Sequence, residues 1–109
     1  MLVEHLKLLE SEYIFDDPEE IKRFLASNED LIEILSSAAN RIRRIFGDAP
    51  LHLELHRDLE NGGEELFVVI KTNHPAEKAV ELETELFEDW FAKVLDRVGG
   101  RLNFTEEPL

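Results

Sequence analysis

The chain contains no cysteine, which excludes a disulfide framework, a thiolate zinc site, an iron–sulfur cluster and a cysteine nucleophile. Cations are scarce, with 12 Lys and Arg against 25 Asp and Glu. At a formal charge of −13 such a chain repels nucleic-acid phosphates and anionic membranes, and direct binding to either is not expected. The 5 glycines form no phosphate-cradling or dinucleotide pattern, and G-x-S-x-G and H-E-x-x-H are missing too. Long apolar runs are also lacking. Glu4, His5 and Lys7 interrupt the opening residues, which spoils a signal-peptide core or a membrane span of about 20 residues and predicts a cytoplasmic protein.

What is present is enough for one domain over residues 1–109: 43% of the residues are hydrophobic, seven of them Phe. Leu2, Leu6 and Leu9 fit a short N-terminal helix, read here as loosely attached over residues 1–12, and Tyr13-Ile14-Phe15 fits an extended segment. Asp17-Pro18-Glu19-Glu20 predicts an N-cap and a helix from Pro18 to about Ala26. Ser27 and Asp30 stand at capping-box spacing before a longer helix, on which Leu31, Ile34, Leu35, Ala38, Ala39, Ile42, Ile45 and Phe46 form one stripe ended by Gly47. The period then changes to two. Leu51, Leu53 and Leu55 alternate with His52, Glu54 and His56, a turn follows at Asn61-Gly62-Gly63, and Leu66–Thr72 is apolar on both faces as far as Lys71. A helix from Pro75 to Val98 stops at Gly99-Gly100, and Arg101–Thr105 alternates again, leaving 106–109 as a loose tail. The fold class predicted is α+β, in the order α-α-β-β-α-β, with N-terminal helices on a three-stranded sheet. The first strand is placed in the middle, and the second and third are parallel across the helical crossover.

One constellation has ligand character. His52, Glu54 and His56 alternate along a strand and so project from one face, as a divalent-metal site or small metal-dependent enzyme would need, with His74 as a further contributor. The polar face of a half-buried strand accounts for the same residues. The 75–98 helix carries Glu77, Glu81, Glu85 and Glu88 on its outer face, either a solvated stripe or a surface for a basic partner. Its apolar residues Ala79, Val80, Leu82, Leu86, Phe87, Trp90, Phe91, Val94 and Val98 span more than 200° of a 100°-per-residue projection, wider than one sheet needs, with Glu83 near the middle. Lys22, Arg23, Arg41, Arg43 and Arg44 are assigned to ion pairing and helix ends, since no aromatic residues interleave them for base stacking.

Phe15–Glu20 with Phe24-Leu25, Leu31–Leu35, Phe46–Leu55, Glu65–Thr72 and Phe87–Phe91 together make the chain resemble an uncharacterised family of short acidic prokaryotic proteins, over residues 13 to 104. The resemblance implies fold-determining positions and no activity. It also implies that Glu54 is more typical of the pattern than His52. Proteins of this size resemble the small partner encoded beside a second short gene, as in toxin–antitoxin pairs. The expectation is therefore a non-enzymatic acidic module that meets a protein partner or forms a homodimer, without a resident cofactor. The alternative is a metal binder at His52, Glu54 and His56.

Overall fold

The computed structural model describes residues 2–109; Met1, and the side chain of Leu2 that the helical spacing includes, lie outside the described part. The elements are α1 (Leu2–Glu12), β1 (Ile14–Phe15), α2 (Pro18–Ala26), α3 (Asp30–Phe46), β2 (Leu51–Arg57), β3 (Glu64–Thr72), α4 (Ala76–Leu86), a π turn (Phe87–Phe91), α5 (Ala92–Val98) and β4 (Leu102–Pro108). The α+β class is as predicted, with a sheet of four strands instead of three. The extra strand is the two-residue β1, which pairs parallel to β2 through Ile14–His52 and Phe15–Leu53.

The strand order is β1-β2-β3-β4, so β3 and not β2 lies between the other two predicted strands. The physical reason is visible in the residues. A strand apolar on both faces fits a central position, and β3 buries Leu66, Val68, Val69 and Ile70 completely. It is antiparallel to β2 and parallel to β4. The residues read as a loose tail continue β4, with Glu106, Glu107 and Pro108 opposite Ile70, Lys71 and Thr72. Lys71 Nζ reaches Glu107 Oε1 at 2.9 Å, so acidity there serves a cross-strand ion pair. The outer edge of β4 is poor in free donors. Asn103 Oδ1 accepts the Phe104 N–H at 2.8 Å, and Pro108 has no N–H to offer.

The helices gather on one face of the sheet around a single apolar cluster that includes Leu9, Ile21, Leu35, Ile42, Leu53, Ile70, Leu86 and Leu102. The N-terminal helix is part of it. Leu6 and Leu9 are buried, and the following Tyr13 hydroxyl donates to the Leu35 carbonyl at 2.8 Å, so residues 1–12 are anchored as far as they are described. Helices α2 and α3 run as the sequence predicts, but neither forms a side-chain N-cap bond. The capping box at Ser27 and Asp30 does not form: Ser27 closes α2, its N–H bonded to the Arg23 and Phe24 carbonyls, and the Asp30 carboxylate is held by Arg101, at 2.9 and 2.7 Å.

The long helix after Pro75 is interrupted by the π turn. Leu82, Leu86, Trp90, Val94 and Val98 are spaced by four, and on a pure α-helix each such step drifts about 40° around the axis. A wider turn of about 4.4 residues takes back part of that drift. Leu82, Leu86, Trp90, Phe91 and Val98 therefore all stay buried, which accounts for much of the arc that looked too wide in a uniform projection. Arg41 of α3 supports the turn by donating to the Asp89 carbonyl at 3.0 Å. Val80 and Phe87 remain outside, 62% and 41% exposed.

Candidate functional site

The pleat of β2 places His52, Glu54 and His56 on the sheet face opposite the helices, as alternation predicts. Each imidazole then takes a partner of its own. His52 Nδ1 lies 2.7 Å from Asp16 Oδ1, beside β1. His56 Nε2 lies 3.1 Å from Glu54 Oε1, and its ring stacks on Phe67 with centroids 4.5 Å apart. Among the described residues, no three His, Asp or Glu side chains gather as a metal ion would require. His74 does not join this face. It follows β3 on the core side, near Phe46 and Glu106.

Glu77, Glu81, Glu85 and Glu88 all stand exposed on α4 and the π turn, where spacing puts them on one side; Lys78 approaches Glu81 at 3.6 Å. Val80 and Phe87 form an exposed apolar row beside them. Glu83 is half-buried. Four of the five basic residues are dispersed into pairs, all between elements except Arg23–Glu20 within α2: Lys22 with Glu10, Arg23 with Glu20 and Glu64, Arg41 with Asp89, and Arg43 with Glu12. Glu64 accepts from Arg23 and Arg57 at 2.6 and 2.9 Å, and these guanidiniums, Arg23 foremost, hold its carboxyl below the ordinary carboxylate range.

A second polar cluster, not anticipated from the sequence, closes the far end of the sheet. Among the described residues, the buried side-chain atoms without a hydrogen-bond partner are Thr72 Oγ1, His74 Nδ1, Trp90 Nε1 and Glu106 Oε2. Three of the four belong to this end. The pairing of Ile70 with Glu106 and of Thr72 with Pro108 makes Thr72 and Glu106 diagonal neighbours on the core face, and His74 Nδ1 lies 3.6 Å from Glu106 Oε2. Thr72 is 6% exposed and the Glu106 side chain 10%. Each such orphan typically costs about 1–3 kcal/mol. An open pocket of about 190 Å³ adjoins Thr72 and His74, with Phe46, Asp48, Ala49, Pro50 and Lys71 also in its wall; Glu106 does not line it. The signal for this site is the alternation itself: continued past Leu102 and Phe104, it puts Glu106 on the core side.

Among the described residues, no helix is long and apolar enough to cross a membrane. No protein-family model matches the chain, and no curated protein or solved structure matches it either, in keeping with the resemblance to an uncharacterised family.

Proposed function

We propose that this chain is a non-enzymatic acidic interaction module whose α4 face binds a basic, amphipathic segment of a partner protein, one encoded beside it in its host. The observation that carries the reading is the exposed row of Val80 and Phe87 alongside Glu77, Glu81, Glu85 and Glu88. Apolar side chains supply area to bury, and the carboxylates select cations and speed encounter. A second copy of the chain is the weaker occupant. Two molecules of charge −13 repel, and the donor-poor edge of β4 is badly suited to strand addition.

The test is affinity capture from the native host with the wild type, with V80E/F87E, and with L59E as a control for an unrelated exposed hydrophobe. A stoichiometric partner is expected with the wild type and L59E, weakened by salt, cross-linked to α4 and lost with V80E/F87E. Equal recovery by all three, or a strict dimer in light scattering that V80E/F87E leaves intact, would refute the proposal.

A further inference from the structure

We infer that His74 and Glu106 hold a proton between them and act as a pH-sensitive latch on the last residues of β4, closed in mild acid and loosened as pH rises. His74 Nδ1 and Glu106 Oε2 are both buried, neither has a hydrogen-bond partner, and they face each other at 3.6 Å. The Glu106 side chain is nine-tenths buried, where a carboxylate without a donor or a counter-charge is costly. A protonated imidazole supplies both. It donates from each ring nitrogen, and a small approach from 3.6 Å gives Oε2 a charge-assisted bond. A neutral ring with its proton on Nδ1 also donates, but it leaves the buried charge uncompensated. No other group takes the place of His74. Asp48 from the α3–β2 loop, Lys71 of β3 and Leu109 border the open pocket that His74 lines; Asp48 offers no donor, and Lys71 gives its ammonium to Glu107 at 2.9 Å. In the first turn of α4, Glu77 and Lys78 are exposed, and Lys78 approaches Glu81 instead. The His74 side chain is one-third exposed on that pocket, so water reaches the ring and exchanges its proton. The contact ties the turn after β3 to the end of β4, where the other holds are the Lys71–Glu107 bridge and the Leu109 N–H donating to the Thr72 carbonyl at 3.2 Å. Because the charge pair exists only while the imidazole is protonated, its hold is present in mild acid and lost as pH rises. The inference is independent of the α4 surface.

The experiment measures hydrogen exchange of the full chain by mass spectrometry at about pH 5.5 and pH 8, either side of the ordinary imidazole range, with rates corrected for intrinsic exchange. Protection of residues 106–109 should fall about 10- to 100-fold from the lower to the higher pH, the range for one charge-assisted hydrogen bond, while residues 102–104 change by less than about 3-fold. In an NMR titration, the His74 ring and Glu106 carboxyl signals should move over one shared pH interval. Glu106→Gln and His74→Phe should each abolish the pH dependence at 106–109. Lys71→Met removes the neighbouring bridge, so it should lower protection at both pH values and keep their ratio. Glu54→Gln, on the opposite sheet face, should leave protection and ratio unchanged. The inference fails if protection of 106–109 in the wild type does not change with pH, if the change runs equally through residues 102–104, or if it survives in folded Glu106→Gln or His74→Phe. Should either variant not fold, the wild-type ratio and the shared NMR interval decide.

Discussion

Replacing Arg101 by alanine removes five hydrogen bonds that use every donor of the guanidinium. Nε donates to the Val98 carbonyl at 2.9 Å, Nη1 to Asn28 Oδ1 at 3.0 Å and Asp30 Oδ1 at 2.9 Å, and Nη2 to Asp30 Oδ2 and the Arg97 carbonyl, both at 2.7 Å. One side chain therefore ties the end of α5 and the start of β4 to the α2–α3 junction. The Asp30 pair is partly exposed, with Asp30 48% and Arg101 30% accessible, so it is worth at most about 1 kcal/mol. The Asn28 and carbonyl contacts add about 0.5 kcal/mol each before rehydration of the freed acceptors. The sum is about 2 kcal/mol, or a fall in Tm of roughly 8–10 °C for a domain of this size. Arg101→Lys keeps the charge but not the fork and should lose more than half of that. Arg101 holds the Asp30 carboxyl below its ordinary range. The pair therefore stabilises fully above the unfolded Asp value and is lost as pH falls through the depressed one. Denaturant melts of the wild type, Arg101→Ala and Arg101→Lys at pH 7 and pH 2.5 measure this. An alanine variant within about 0.5 kcal/mol of the wild type at pH 7, or a gap that does not narrow in acid, would refute the reasoning.

Tyr13 is the only tyrosine, and burial, then the charge of Glu12, pushes its phenol well above the ordinary value. The unfolded chain should release this proton near pH 10 and the folded chain should not, so stability holds below that pH and falls above it, and the phenolate absorbance should rise only with unfolding. Ionisation near pH 10 in the folded protein would contradict its burial. Deleting residues 106–109 should cost about 2–3 kcal/mol in a denaturant melt, because it removes three pairings with β3 and the Lys71–Glu107 bridge. A tail that merely hung from the sheet would leave the melt unchanged.

Much of the helical layer is legible from local signals. Pro18, Gly47 and Gly99 mark ends that the fold keeps, because they act through the few residues around them. What escaped depends on neighbours remote in the chain. Tyr13-Ile14-Phe15 reads as extended, but two residues carry no signal for pairing with β2, and Glu106 and Glu107 look like solvent-facing acids until β3 is placed beside them. The double-sided apolarity of Leu66–Ile70 carries the strand order, because a strand buried on both faces takes a central place. The candidate sites divide in the same way. The pleat of β2 and the spacing along α4 place His52, Glu54, His56 and the glutamates where alternation says, whereas His74 and Glu106 meet only through the parallel crossover.

The π turn has a consequence for how the chain tolerates change in length. Remove Glu88, and the inward positions Leu82, Leu86, Trp90, Phe91, half-buried Val94 and Val98 fall at i, i+4, i+7, i+8, i+11 and i+15, the spacing of an uninterrupted amphipathic α-helix. The crossover helix thus carries one spare residue. A deletion there should let α4 and α5 fuse while both keep their seats on the sheet. The same deletion inside α4 would turn its preceding residues by about 100° relative to everything that follows.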